Sequence, residues 1–279
     1  MDILHDKYSD LKAALCACGS VAVAFSGGVD STFLLYTAHE VLGDRAIAVT
    51  AAPVFVSERE QKEARDFCAE RGITQVIIPR EKLNIDGVRH NPPDRCYHCK
   101  REIFSKILET AAERGIPVVA EGSNTDDLGD YRPGLRAIRE LGIVSPLLDA
   151  GLSKEEIRSL SKELGLPTWN KPAFACLASR FAYGEAITDE KLVMVDRAEQ
   201  LLADLGFRNY RVRIHGRLAR IEVLPEELER IILPEIRERI TDELKAYGFD
   251  YVSLDLRGYR TGSMNEALNN KKTKKMEGV

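Results

Sequence analysis

The segment Phe25-Ser26-Gly27-Gly28-Val29-Asp30-Ser31 constrains this chain more than any other. It follows a short, partly β-branched apolar run, Val21 to Phe25, and precedes Thr32 to Leu42, where apolar residues take up a helical spacing. A strand, a glycine-rich turn and a helix in that order bring backbone N–H groups to a helix N-terminus, where partial positive charge and spare donors suit an anion. Ser26 and Ser31 add hydroxyl donors. The G-x-x-x-x-G-K-[ST] arrangement is absent, and with it the lysine that reaches a transferred γ-phosphate, so this is no ordinary kinase or GTPase loop. The plain alternative is a strand-to-helix turn with a capping serine.

The alternation continues downstream. A first helix over 3–18 precedes the turn; afterwards apolar runs at 46–51, 75–78 and 118–120 alternate with helical stretches at 58–71 and 101–114. That rhythm predicts an α/β fold, a doubly wound parallel sheet. After about residue 185 it changes. A helix near 188–205 leads into strands at 209–215 and 218–224 joined by His215-Gly216-Arg217, then an acidic helical region from 226 and a strand at 250–256. Adjacent strands with a short link make a hairpin, which a parallel sheet does not need, so a smaller α+β domain is expected there. The expected division is 1–184, 185–270 and a flexible basic tail, 271–279.

At 279 residues, with 44% hydrophobic and 30% charged side chains, the chain is long enough to bury a core and is not of disordered composition. Its net charge of -4 is the wrong sign for covering a polyanion, so no nucleic-acid partner is expected. No apolar run approaches the roughly 18–20 residues of a membrane helix, and the start lacks a signal-peptide pattern. A cytoplasmic protein without a membrane partner is expected, with its six cysteines as reduced thiols.

A second polar cluster, Gly122-Ser123-Asn124-Thr125-Asp126-Asp127, follows the apolar run at 118–120. Ligands of open α/β sheets gather at strand carboxyl ends, so Gly122, Asn124 and Asp127 are candidates for nucleotide or magnesium binding, with Asp130 and Arg132-Pro133-Gly134 continuing the site. The alternative is a helix cap with ordinary turn residues. Cys176 lies between the expected domains, with Lys171 and Arg180 near enough in sequence to lower its pKa as a nucleophile; a buried structural thiol is the rival reading. Cys96-Tyr97-His98-Cys99 is a C-x-x-C whose spacing suits two thiolates on one metal or cluster, and Cys176 supplies a third. A structural zinc needs a fourth ligand, for which His98 is badly placed, and a redox dithiol is the other rival. Cys16, Cys18 and Cys68 read as structural. Arg211 and Arg213 alternate along a strand and point to one face, where two guanidiniums would grip a phosphate; a solvated strand face is the alternative.

The S-G-G-x-D-S turn resembles the pyrophosphate loop of the ATP pyrophosphatases. That resemblance implies that Ser26, Gly27, Gly28, Asp30 and Ser31 hold pyrophosphate and Mg2+, with Asp30 in or near the metal shell. With the segments GSNTDDLGDYRPGLRA at 122–137 and ACLASR at 175–180, the chain resembles the ATP-dependent sacrificial sulfur transferases of the LarE type over nearly its whole length. The family implies a PP-loop fold and a mononucleotide substrate, pyridinium-3,5-biscarboxylic acid mononucleotide, a precursor of the nickel-pincer nucleotide cofactor. It implies ATP as co-substrate, a catalytic Cys176 giving up its own sulfur or a [4Fe-4S] cluster on Cys96, Cys99 and Cys176, and substrate phosphate on Arg211 and Arg213, to which Arg180 is added. Glu199 and Glu222 match acidic positions linked with metal or phosphate, no single residue of Glu226-Glu227-Leu228-Glu229-Arg230 matches a third, and a trimer-based homo-oligomer (hexamer) is implied. The rival functions are a PP-loop tRNA thiolase, an amide-forming synthetase and a non-catalytic nucleotide-binding module.

Overall fold

Nearly every side chain of β1 (Val21–Ala24) and β2 (Ala46–Ala51) is buried, the pattern of strands covered on both faces. In this computed structural model, which describes residues 3–51, 56–79, 81, 86–129, 133–171 and 176–260, β1 pairs in parallel with β2 and with β4 (Val119–Ala120). β2 pairs in parallel with β3 (Gln75–Ile78), giving the order β3-β2-β1-β4. Parallel neighbours need crossovers, supplied by α2 (Val29–Leu42), α3 (Glu58–Glu70) and, before β4, α4 (Asp86–Arg89) and α5 (Arg95–Ala112). Both α2 and α5 pack on β1 and β2, α2 alongside α1 (Ile3–Ala17) and α8 (Lys154–Glu163), α5 alongside α6 (Pro133–Glu140). The expected α/β parallel sheet is what forms. Beyond β4, Val144 donates to Val119 O at 3.0 Å and extends the sheet edge before α7 (Pro146–Asp149).

The core of this unit lies between α1, α2, α8 and the sheet. Leu11, Leu15, Phe33, Leu34, Leu35, Leu147 and Ile157 are fully buried, each stabilising the fold by about 1.5–3 kcal/mol, and the Phe25 and Phe67 rings sit 5.8 Å apart. Two elements departed from expectation. α5 begins at Arg95, so Cys96 and Cys99 lie inside its first turns rather than ahead of it. α8, which the expected elements did not include, carries a capping box at its start: Ser153 Oγ accepts from Glu156 N at 3.2 Å, and Glu156 Oε2 accepts from Ser153 N at 2.8 Å.

Among the described residues, the second compact unit comprises 89–93 and 176–260. Segment 176–184, expected in the first domain from the change of rhythm near residue 185, groups with the second. The reason for 89–93 is Asn91, fully buried, whose Nδ2 donates to Phe181 O and Ala182 O at 3.2 and 2.6 Å while its carbonyl accepts from Gly184 N at 3.0 Å. Here α9 (Asp189–Asp204) packs on β5 (Arg211–His215), which forms an antiparallel hairpin with β6 (Leu218–Glu222) through Gly216 at φ +65°. The acidic region divides into α10 (Leu228–Ile231) and α11 (Pro234–Ala246), the latter with proline as its first residue, before β7 (Tyr251–Leu254) joins β6 in parallel. The basic tail lies outside the described residues, as do Asp130, Arg132 and 172–175. No helix among the described residues is long and apolar enough to cross a membrane.

Replacing Ser153 with Ala removes one half of the α8 capping box and is expected to lower stability by about 1 kcal/mol, read as a lower urea midpoint by circular dichroism.

Candidate functional site

The strand order reverses between β1 and β4, the topological switch point at which ligands of such sheets bind. The turn after β1 is held open by its glycines. Gly27 sits at φ +70°, and a Cβ there would lie 3.1 Å from Ala64 Cβ of α3, so both conformation and space require glycine. Gly28 caps α2 with extended backbone and no side-chain acceptor. The capping serine of the plain reading is thus absent. Ser26 Oγ and Ser31 Oγ instead lie 3.0 Å apart, and the Ser26 N–H donates to Ser31 Oγ at 3.3 Å. Because α2 begins at Val29, Asp30 and Ser31 fall in its first turn, beside backbone donors with partial positive charge.

The turn after β4 meets the first directly. A Cβ on Gly122 would lie 3.1 Å from Ser31 N and 3.2 Å from Asp30 C and Cβ, so glycine permits this approach. Asn124 and Asp127 are buried and shape the turn: Asn124 Oδ1 accepts from Asp126 N, and Asp127 Oδ2 from Asn124 N, both at 3.0 Å. Glu121 accepts from the Ser123 N–H and hydroxyl and from Ser145 Oγ. Asp126 Oδ2 takes the Lys154 N–H at 3.0 Å, which ties the start of α8 to the same turn.

Two lysines that the motif reading did not assign to this turn reach it from other elements. Lys154 Nζ is 2.5 Å from Asp30 Oδ2, and Lys171 Nζ donates to Gly27 O at 3.0 Å while pairing with Glu63 Oε2 at 2.6 Å. Burial alone would raise the Glu63 carboxyl; the hydrogen bonds from Lys171 and Arg59 outweigh it and hold its pKa below the usual value. The available signal for Lys154 was a basic residue at the first position of a capped helix, where the dipole disfavours it. Asp30 Oδ1 is buried with no hydrogen-bond partner. An uncompensated carboxylate oxygen beside a phosphate-sized turn fits a hard, oxygen-loving cation such as magnesium.

Cys96 is exposed and Cys99 partly so, three positions apart and hence on one face of α5. His98 Nε2 is 3.1 Å from Asp94 Oδ2. Two soft donors on one helical turn suit an iron–sulfur centre better than a hard cation. They belong to the first unit and Cys176 to the second, and no group of three or more His, Cys, Asp or Glu among the described residues is arranged around a metal position. Cys16 is exposed, whereas Cys68 is buried and its thiol pushed up to about 12 by desolvation.

In the second unit, Cys176 is exposed at the start of a short 3₁₀ turn, Leu177–Arg180. Arg180 is fully buried and forms a two-pronged pair with Glu199: Nε to Oε1 at 2.8 Å and Nη2 to Oε2 at 2.7 Å. Its Nη1 donates to Cys176 O at 3.3 Å, so Arg180 addresses the backbone of Cys176. Glu199 Oε1 also accepts from Val212 N at 2.9 Å. Arg211 and Arg213 are both buried, which overturns the solvated strand face. Arg213 Nη2 pairs with Glu222 Oε2 at 2.9 Å and Nη1 donates to Ser179 O at 3.0 Å; Arg211 Nη1 donates to Tyr210 O and its guanidinium lies 5.1 Å from the Tyr259 ring centre. Burial, then the like charge of Arg180, push the Arg211 pKa below its ordinary value. Glu199 and Glu222, the expected metal positions, are thus engaged with guanidiniums, Glu222 with Arg220 as well at 3.0 Å. Three buried arginines, Arg180, Arg211 and Arg213, thus stand against two buried glutamates, Glu199 and Glu222.

Glu199→Ala would leave Arg180 buried without its carboxylate and is expected to cost about 3–5 kcal/mol in urea unfolding. In the native protein at pH 8, iodoacetamide is expected to label Cys16, Cys96 and Cys176 well before Cys68, which is buried and held as the thiol by desolvation, as read by peptide mass mapping.

Comparison with known proteins agrees with this geometry. No family model matches the chain. It is 38% identical over 96% of its length to the pyridinium-3,5-bisthiocarboxylic acid mononucleotide synthase of Lactiplantibacillus plantarum, covering 97% of that protein. An uncharacterised protein of Synechocystis sp. is 40% identical over 95% of the chain, covering 99% of that protein. A glutamine-hydrolysing GMP synthase component from Thermoplasma acidophilum is 28% identical over 83% of the chain, covering 76% of that protein, in keeping with a PP-loop fold. The chain belongs to the pyridinium-3,5-bisthiocarboxylic acid mononucleotide synthase family, the LarE-type sulfur transferases within the PP-loop superfamily of enzymes.

Proposed function

We propose that this protein uses ATP to activate a carboxylate of pyridinium-3,5-biscarboxylic acid mononucleotide and converts it to a thiocarboxylate. The observation that carries the reading is the contact at the sheet's switch point, where Gly122 lies against Asp30 and Ser31 of the glycine turn. The relative from L. plantarum bears the name of such a synthase.

A carboxylate oxygen of the substrate attacks the α-phosphorus of ATP and the bond to the bridging oxygen breaks, giving an acyl-adenylate and pyrophosphate. The Gly27-Gly28 turn, the Ser26 and Ser31 hydroxyls and the N-terminus of α2 bind the leaving pyrophosphate, with Asn124 and Asp127 keeping the neighbouring turn in shape. Magnesium, when bound, neutralises phosphate charge, and Asp30 would hold it. A sulfur nucleophile then attacks the acyl carbon and AMP leaves with the former carboxylate oxygen. Arg211, Arg213 and Arg180 bind and orient the mononucleotide phosphate through their surplus charge. Cys96, Cys99 and Cys176 would hold a [4Fe-4S] cluster, and such a cluster would supply the sulfur as sulfide.

The second source is Cys176 itself, favoured by its exposure. Its thiolate would form the thioester; loss of its Cα proton and cleavage of Cβ–S would then release the thiocarboxylate and leave dehydroalanine. The first unit is assigned to ATP chemistry and the second to substrate binding and assembly into a trimer-based oligomer, with action in the cytoplasm.

Anaerobic incubation with ATP, the mononucleotide and sulfide is expected to yield AMP, pyrophosphate and thiocarboxylate, with several turnovers per chain, unchanged protein mass and about four irons per chain. Loss of one sulfur's mass at Cys176 after a single turnover would assign the sulfur to that side chain. ADP and orthophosphate as products would reject the proposal.

A further inference from the structure

Lys154, Arg158 and Lys162 are spaced four apart on α8 and so share one face. Lys154 reaches Asp30. Arg158 does something different: its Nη1 donates to Trp169 O at 2.6 Å and its Nη2 to Lys171 O at 2.7 Å. Lys162 Nζ lies 4.9 Å from the centre of the Trp169 ring. The carbonyls gripped by the guanidinium are two residues apart in a segment without helix or strand, held otherwise by the Lys171 N–H to Thr168 O at 2.9 Å. Lys171 is also the residue whose ammonium contacts Gly27 O and Glu63.

The contacts form a continuous chain from the Arg158 fork, through the Lys171 main chain and side chain, to the phosphate turn. The turn itself contains no lysine. A cation delivered from a loop is useful there only if the loop is fixed beforehand, since otherwise ligand binding must also order it. A planar fork with paired donors suits two carbonyls at once, whereas an ammonium at the same position offers a point charge with different reach.

We propose that Arg158 is a positioning residue for phosphate binding: it acts through Lys171, presetting that ammonium beside Gly27 for the phosphates of a nucleotide. This rests on the reading of the Gly27-Gly28 turn as a pyrophosphate site. Arg158 touches neither nucleotide nor substrate in this role, and its whole effect passes through Lys171.

The test is calorimetric titration of the full chain with magnesium pyrophosphate, using wild type, Arg158→Gln, Arg158→Lys, Lys171→Gln and the double variant Arg158→Gln/Lys171→Gln. Urea unfolding of each variant checks that it is folded. Arg158→Gln and Lys171→Gln are each expected to weaken pyrophosphate binding about ten-fold, and the double variant no more than Lys171→Gln alone. Arg158→Lys, which keeps charge and stem but loses the fork, is expected to fold normally and bind more weakly than wild type. In turnover, KM for ATP is expected to rise in Arg158→Gln while KM for the mononucleotide stays unchanged. Trp169 is the single tryptophan of the chain, and its emission maximum is expected to shift in Arg158→Gln as its carbonyl loses the guanidinium. Multiplying losses in the double variant, or wild-type affinity in Arg158→Gln or Arg158→Lys, would overturn the proposal while leaving the phosphate turn intact. A wild-type protein that does not bind pyrophosphate would remove both.

Discussion

The parallel pairing of β1 with β4, Ala22 against Val119 and Val23 against Ala120, is the constraint on which the first unit's chemistry depends. Without it the turns after these strands would emerge apart. With it, Gly122 comes within van der Waals reach of Asp30 and Ser31, and the second turn can hold the start of α8 through Asp126. From that start Lys154 reaches Asp30, and one turn later Arg158 secures the segment that delivers Lys171 to Gly27. A short strand register thus gathers two backbone turns and two ammonium groups at the carboxyl end of one sheet.

The second unit depends on a different balance. Arginines buried to this extent require partners, and Glu199 from α9 and Glu222 from β6 provide them. Antiparallel register places Glu222 opposite Arg211 and Arg220 opposite Arg213, so the hairpin interleaves its charges. The glutamates fix the guanidinium planes by hydrogen bonding but do not cancel their charge. The Arg211 pKa is depressed first by burial and then by the like charge of Arg180.

The glycine turn was legible in the sequence because its signal is local: a strand, two glycines and a helix start are written in consecutive residues. The alternation that predicts a parallel sheet was legible for the same reason. Lys154 and Lys171 were not, since their meeting with the turn depends on α8 packing beside α2, a contact between distant parts of the sequence. The shared face of Arg211 and Arg213 followed from strand alternation, but their burial did not: composition counts arginine as a surface residue, and the compensating carboxylates come from another helix and another strand. Asn91 shows the limit most clearly. Nothing near it in sequence says that residues 89–93 pack against 181–187 in the second unit.

The proposed activation of a carboxylate at the glycine turn has a direct isotopic consequence. When an acyl-adenylate forms and a sulfur nucleophile displaces AMP, the bridging oxygen originates in the substrate carboxylate and departs on the phosphorus. Turnover of substrate carrying ¹⁸O in its carboxylates should therefore yield AMP with one heavy oxygen, read by mass spectrometry, and unlabelled pyrophosphate. Unlabelled AMP alongside thiocarboxylate product, or heavy oxygen in orthophosphate, would contradict adenylation of the carboxylate.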